Sequence, residues 1–169
     1  RRLAQNVHRS GSALLEISND ILDFSENEAG KLKLERIEFG LRQTVEEAVD
    51  LFAEPAGRKG LELTCFIPHE IPDAVIGDPV RLRQILLNLV GNAVKFTTRG
   101  EVALKIRQVS TRDRTLTLRF EVADTGIGLT AEAKARLFQA FSQADATTTR
   151  QFGGTGLGLA IVKQLAQLM

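Results

Sequence analysis

Asp124-Thr-Gly-Ile-Gly128 and Gly153-Gly-Thr-Gly-Leu-Gly158 are two glycine-rich segments that follow one another along the chain. The first comes after an alternating, strand-like pattern, and the second runs into an apolar helical pattern. Glycines let the backbone take unusual dihedrals and approach a flat ring closely. A buried carboxylate at Asp124 would need a donor, such as the exocyclic amine of a base. Free amides at a helix N-terminus bind phosphate, so the pair of segments predicts a nucleotide pocket.

A third segment, Asn88-Leu-Val-Gly-Asn-Ala-Val-Lys95, lies within a helical pattern over residues 79–96. Asn88, Asn92 and Lys95 share one face of that helix, opposite its apolar side chains. Asparagine is disfavoured inside helices, so two on one face suggest a ligand: an amide oxygen can bind Mg²⁺, and a lysine can neutralise phosphate. Each segment alone has an ordinary explanation as a turn, a flexible linker or a solvated helix face. Their combination predicts an ATP site.

The composition suits one compact domain with an appendage, because 43% of the 169 residues are hydrophobic and 25% are charged. The net charge of +1 gives no bulk attraction to nucleic acid. There is no run of about 18 apolar residues, so we expect no direct membrane contact. Cys65 is the only cysteine, which excludes an intrachain disulfide and fits a reducing, cytoplasmic compartment.

The first 24 residues carry apolar side chains at spacings of three, four and seven, which predicts an amphipathic helix of about three heptads. The polar break over 25–30 ends in glycine and indicates a helix stop followed by a hinge. Packing of this helix on the core of its own domain is one interpretation. The heptad period favours the other, a seam between helices or between chains.

Downstream of this break, short strand and helix patterns alternate. We predict strands over 31–39, 61–67, 74–76, 101–109 and 115–123, helices over 41–56, 79–96, 130–141 and 155–169, and a loop over 144–154. Asp78 is the expected N-cap of the second helix, with Pro79 at its first position. The side chains expected to face inward from the second and last helices are Leu82, Ile85, Leu86, Leu89, Val90, Leu157, Ile161, Leu165 and Leu168. The last two strands form a hairpin, and this antiparallel pairing indicates an α+β fold.

One competing interpretation is a dinucleotide-binding turn, since Gly126-x-Gly128-x-x-Ala131 matches the loose fingerprint, with Asp145 downstream. The preceding strand argues against it, because its apolar residues alternate. A buried parallel strand would carry a continuous apolar run. The P-loop pattern ending in Gly-Lys-Ser/Thr is absent.

Four segments, in order, resemble the motifs of sensor histidine kinases. Asn88–Thr97 resembles the N box, Asp124–Gly128 the first glycine box, Leu137–Phe141 the F box, and Gly153–Gly158 the second glycine box. The same ATP-binding fold occurs in gyrase, Hsp90 and mismatch-repair ATPases, and the F box with a threonine-rich lid favours the kinases. The resemblance implies a two-layer α/β sandwich with a mixed sheet, of Bergerat type, preceded by one long coiled-coil-type helix.

The resemblance also implies roles for individual residues. Asn92 would coordinate Mg²⁺, Lys95 would contact phosphate, and Asp124 would bind the adenine amine, while Arg150–Gly158 would form the ATP lid. The implied ATP-binding residues are Asn88, Asn92, Lys95, Asp124, Gly126, Gly128, Phe138, Arg150, Gly153, Gly154, Thr155, Gly156, Leu157 and Gly158.

The N-terminal part resembles the second helix of the dimerisation and phosphotransfer domain of hybrid kinases, through Ser18–Ser25 and Glu28–Lys31. The implied organisation is that helix over 1–27, a linker and first strand over 28–40, and a catalytic ATP-binding domain over 41–169, truncated at its C-terminus. The implied partners are a second copy of the chain, through the helix, and the receiver domain of a response regulator in cis or in trans.

The phosphoacceptor histidine of that family is not matched. His8 is followed by Arg9-Ser10 and lacks the acid and the proline of the family's segment. His69-Glu-Ile-Pro72 imitates the segment, but the prolines around it place it in a loop. We therefore expect a protein-histidine kinase fragment that binds ATP but cannot phosphorylate itself, with the acceptor on a helix absent from the chain.

Two other functions stay open. One is a catalytically inactive nucleotide-binding or dimerisation module, against which the intact Asn92, Lys95 and Asp124 argue. The other is an ATP-hydrolysing clamp of the gyrase type. Such a clamp needs a glutamate near the start of the N box helix to activate water, and Asp78–Gln84 contains none.

Overall fold

The computed structural model describes Gly11, Ser18 and Ser25, all three helical, and residues 32–140 and 156–169. The remainder of the predicted N-terminal helix and the predicted loop over 144–154 lie outside the described residues. The chain divides into two compact units, one containing Leu34–Thr130 and the other Ala131–Leu168 together with the N-terminal segment.

The unit Leu34–Thr130 mixes helices and strands. Its elements are β1 (Ile37–Gly40), α1 (Leu41–Asp50), α2 (Ala53–Lys59), β2 (Glu62–Phe66), β3 (Ala74–Gly77), α3 (Pro79–Phe96), β4 (Glu101–Arg112) and β5 (Thr115–Asp124). The prediction of one helix over 41–56 is wrong, because the helix is interrupted between Asp50 and Ala53. Pro55 explains the break: it has no N–H, and its ring would clash with the carbonyl four residues earlier, whereas the first turn of α2 tolerates it.

The strands form two sheets. β2, β4 and β5 make a mixed sheet, with β2 parallel and β5 antiparallel to the central β4, and β1 pairs with β3 antiparallel. β1 is shorter than the predicted strand over 31–39, since β3 offers it only four partners. The predicted hairpin is confirmed, and its two-residue turn has positive φ at both Asp113 and Arg114, which matches the twist of the strands.

The core of this unit lies between a helical layer and the mixed sheet, as expected for a two-layer sandwich. Large, fully buried side chains from α1, α3 and β4 form its centre, among them Leu41, Val45, Leu86, Leu104 and Ile106. The apolar side chains of β5 pack against this cluster. Four of the five side chains predicted to face inward from α3 are buried. The prediction for the fifth, Leu89, is wrong, because that side chain is only half-buried.

The predicted start of α3 is confirmed. Asp78 is buried, and its Oδ1 accepts a hydrogen bond from the Arg81 amide at 3.0 Å, as an N-cap does. Its Oδ2 accepts a second bond, from the Glu35 amide, also at 3.0 Å. Asp78 therefore both begins the helix and holds the segment that leads into β1.

The second unit contains two described helices, α4 (Ala131–Arg136) and α5 (Gly158–Leu168). α4 is shorter than the predicted helix over 130–141. Leu157, Ile161 and Leu165 are buried as predicted. The inward prediction for Leu168 is wrong, because this last residue of α5 is 45% exposed. Among the described residues, no helix is both long and apolar enough to cross a membrane.

Candidate nucleotide-binding site

The segment that follows β5 is hydrogen-bonded to the last residue of α3 and to the first residue of β4. The Ile127 amide donates to the Phe96 carbonyl at 3.4 Å, and the Thr125 amide donates to the Glu101 carbonyl at 3.2 Å. Thr125 Oγ1 accepts in return from the Glu101 amide at 3.0 Å. These bonds place Asp124 beside the last turn of α3. The glycine segment Asp124–Gly128 and the helical segment Asn88–Lys95 therefore lie next to each other, as a shared site requires.

Asp124 ends β5 with an exposed side chain. Its Oδ1 accepts a hydrogen bond from the Gly126 amide at 2.9 Å, which closes a side-chain turn typical of aspartate. Within the described residues, its Oδ2 accepts no hydrogen bond. One oxygen thus fixes the side chain on the turn, and the other can accept a bond from a ligand.

The two glycines of this turn are required for different reasons. A Cβ on Gly126 would lie 2.7 Å from the Phe96 carbonyl oxygen and 2.7 Å from Asp124 Oδ1, so no side chain fits there. A Cβ on Gly128 would meet nothing within 4 Å, but this residue has a φ of +68°, which L-residues rarely adopt. Gly126 therefore provides space for contact with α3, and Gly128 provides a left-handed backbone.

The polar face of α3 carries Asn88, Asn92 and Lys95 as predicted, and all three are half-buried. The Asn88 amide donates to the Gln84 carbonyl at 3.2 Å, one turn back in the same helix. The Asn92 carboxamide has no hydrogen-bond partner among the described residues. Lys95 Nζ lies 5.0 Å from the centroid of the Phe96 ring, where the aromatic face attracts a cation. With a rise of about 1.5 Å per residue, Asn92 lies about 6 Å before the end of the helix.

Thr97 directly follows α3, and its sequence predicts no role for it. It is fully buried, and its Oγ1 has no hydrogen-bond partner within the described part of the chain. This hydroxyl lies 3.0 Å from where a Cβ on Gly126 would be. A buried hydroxyl without a partner costs about 1–3 kcal/mol, so this corner of the turn suits a water molecule or a ligand atom. Only the packing of the glycine turn against α3 reveals it.

The remaining predicted site residues belong to the second unit or lie outside the described residues. Phe138 follows α4 and is 46% exposed. Gly156 has a φ of +71°, Leu157 is buried, and Gly158 begins α5. Phe141, Arg150, Gly153, Gly154 and Thr155 lie outside the described residues. The roles predicted for all of these residues stay predictions.

Comparison with known proteins identifies the family. The family described as histidine kinase-, DNA gyrase B- and HSP90-like ATPase matches residues 77–169, which is more than half of the chain. The chain belongs to this ATPase family. The matched region begins just before α3 and includes both glycine boxes, so all four motifs that carry the resemblance lie within it.

Two relatives of the chain are a histidine-protein kinase and a sensor protein. The signal transduction histidine-protein kinase BarA of Escherichia coli K12 is 50% identical over 163 residues, and the sensor protein GacS of Pseudomonas syringae pv. syringae is 47% identical. Each alignment covers 96% of this chain but 18% of the relative, so the chain spans less than a fifth of their length.

A solved structure agrees with this assignment. Full-length ShkA in complex with AMPPNP has a TM-score of 0.81 and 38% identity, covering 100% of this chain and 34% of that one. The predicted kinase resemblance and mixed α/β fold are confirmed, and the chain carries the ATP-binding catalytic domain of a histidine kinase.

Proposed function

We propose that the chain binds ATP with the adenine at Asp124 and the phosphates along the polar face of α3, and that it supplies the γ-phosphoryl group to a histidine. The observation that carries this proposal is the hydrogen bond from the Ile127 amide to the Phe96 carbonyl. That bond sets the free oxygen of Asp124 next to the end of the helix that carries Asn92 and Lys95.

Each residue then has a chemical task. Asp124 Oδ2 accepts the N–H of the adenine amine, and Gly126 lets the turn that carries Asp124 pack against the end of α3. Lys95 offsets phosphate charge, and the role of Arg150–Gly158 as the ATP lid stays a prediction. Phosphoryl transfer requires little covalent chemistry from the protein, so positioning and charge stabilisation account for the rate.

A magnesium ion fits this donor set. The described residues contain no group of three or more His, Cys, Asp or Glu side chains that could hold a metal. Mg²⁺ commonly takes one or two protein oxygens and fills its shell with phosphate and water oxygens. Asn92 offers an amide oxygen with no other described partner. When bound, the ion would neutralise charge on the phosphate oxygens.

Replacing Asn92 by Ala should reduce the gain in AMPPNP affinity that Mg²⁺ provides, by about tenfold if one charge-assisted contact is lost. The measurement is calorimetric titration with Mg²⁺ and, separately, with EDTA. Asn88→Ala is the matched control, because Asn88 hydrogen-bonds its own helix, and it should keep the magnesium-dependent gain. Equal gains in both variants would contradict the assignment of Asn92 as the metal ligand.

The acceptor and the partners of the whole kinase are further parts of the proposal. We assign residues 1–27 to the second dimerisation helix, 28–40 to the linker and first strand, and 41–169 to the catalytic domain. The helix would pair with a second copy of the chain, and a receiver domain would take the phosphoryl group from histidine. Because ATP is the substrate, we place the domain in the cytoplasm. His69 is not the proposed acceptor, because it lies in the loop between β2 and β3.

Hydrolysis of the gyrase type is less well supported. Asp78 is the carboxylate at the start of α3, and both of its oxygens already accept backbone N–H groups, from Arg81 and Glu35. A carboxylate used in this way is a helix cap. It is poorly placed to activate a water molecule as a general base.

The test of the proposed function supplies the acceptor in trans. The chain is mixed with a separately produced dimerisation and phosphotransfer domain of a histidine kinase and with γ-labelled ATP, and acid-labile, base-stable label is measured on the added domain. Label on that domain, absent when its acceptor histidine is replaced, is the expected result. Tight ATP binding without label would instead favour a module that binds nucleotide and transfers nothing.

A further inference from the structure

Lys59, the last residue of α2, closes the end of α3. Its Nζ donates hydrogen bonds to the carbonyl oxygens of Val94 at 2.6 Å, Lys95 at 3.0 Å and Thr97 at 3.1 Å. An ammonium group has three donors, and all three are used. Helix ends leave their last carbonyls without partners inside the helix, and a cation there also suits the helix dipole.

The carbonyl that Lys59 does not reach is that of Phe96, which accepts the Ile127 amide instead. The end of α3 is therefore held from two sides, by Lys59 and by the glycine turn that follows Asp124. A shift of residues 95–97 would move the acceptor of the Ile127 amide, the base of the Lys95 side chain and the buried Thr97 hydroxyl together.

We infer that Lys59 is a positioning residue for the nucleotide site. It acts by fixing the backbone of residues 95–97, and so sets how the glycine turn and Lys95 face each other. This inference rests on the proposed function for its effect on ATP, but its effect on the Ile127 amide does not require a nucleotide.

A purely structural role for Lys59 is the alternative, and Arg42 provides the matched control. Arg42 also has a long cationic side chain that extends from a helix and donates to backbone carbonyls. Its Nη1 donates to the Ile67 carbonyl at 3.2 Å, and its Nη2 donates to the Pro68 carbonyl at 3.4 Å. Those carbonyls follow the C-terminal end of β2. The strand register puts Asp124 level with the start of β2, because Glu62 pairs with Glu101 and Val102 pairs with Asp124. The carbonyls that Arg42 binds therefore lie at the far end of the sheet from Asp124.

The experiment compares Lys59→Met, Lys59→Arg and Arg42→Met in the whole 169-residue chain. Thermal unfolding gives the stability, calorimetry gives the affinity for Mg·AMPPNP, and NMR gives hydrogen exchange of the Ile127 amide without ligand. Lys59→Met should weaken AMPPNP by about tenfold, as small displacements in a binding site do, and should speed Ile127 exchange. Lys59→Arg should restore most of both. Arg42→Met should lower the melting temperature and leave affinity and Ile127 exchange unchanged.

The outcomes separate the two ideas. If the wild-type chain does not bind Mg·AMPPNP, the proposed function fails, and Ile127 exchange still decides the role of Lys59. If Lys59→Met keeps wild-type affinity and wild-type exchange, Lys59 is not a positioning residue. The same conclusion follows if Lys59→Met and Arg42→Met lose affinity equally. If Lys59→Met does not fold, Lys59→Gln replaces it: faster Ile127 exchange with weaker AMPPNP binding supports the inference, and wild-type values of both overturn it.

Discussion

Replacing Asp124 by Asn should weaken Mg·AMPPNP binding by about 10- to 100-fold, the loss expected when a charge-assisted hydrogen bond is removed. Asn keeps an oxygen that can accept the Gly126 amide, as Asp124 Oδ1 does at 2.9 Å. The turn should therefore survive. The second position changes from an acceptor to an N–H donor, which would face the donor amine of adenine. Calorimetric titration measures the loss.

A ligand without the exocyclic amine provides the control. Purine riboside triphosphate should bind the wild-type chain more weakly than ATP, because the carboxylate of Asp124 loses its donor. In Asp124→Asn the preference for ATP should be lost, since the variant cannot accept from the amine. Wild-type affinity for AMPPNP in Asp124→Asn would remove Asp124 from base recognition.

Replacing Gly126 by Ala should abolish measurable AMPPNP binding and lower stability. The added methyl group would lie 2.7 Å from the Phe96 carbonyl oxygen, and backbone cannot move aside as a side-chain tip can. We expect the turn to shift off α3, breaking the bond between Ile127 and Phe96, with a loss in unfolding free energy of about 1–3 kcal/mol. Urea denaturation and calorimetry measure the two effects.

Gly128→Ala distinguishes lack of space from backbone strain. The space around Gly128 is open, so its variant should lose only the left-handed preference, about 1–2 kcal/mol of stability. Its affinity for AMPPNP should fall much less than that of Gly126→Ala. Similar affinities in the two variants would show that contact with α3 does not matter for the site.

Much of the site region could be predicted because its signals are local. Asp78 and Pro79 define the start of α3 through cap geometry, and Phe96 ends it as expected. The alternating pattern of β4 and β5 gave the hairpin, and its register brings Asp124 to the end of a strand. Short-range periodicity and caps determine such features almost without tertiary context.

Features that depend on distant contacts escaped prediction. Lys59 lies 35 residues from Val94, to which it donates, and nothing in its own helix marks it. Thr97 is buried where the glycine turn packs on the end of α3, and its own surroundings in the sequence do not predict this. β1 ends where its partner strand ends. Leu168 fits the helical period but occupies the last position of α5, where it is exposed.

The central claim is that ATP binds between Asp124 and the end of α3. It is tested by adding Mg·AMPPNP to the ¹⁵N-labelled chain and following the NMR chemical shifts of the backbone amides. We predict saturable shifts at Asn92, Lys95, Gly126 and Ile127, with much smaller changes near Ile67 at the opposite end of the sheet. Saturable binding that leaves Gly126 and Ile127 unshifted, or no saturable binding at all, would contradict the account.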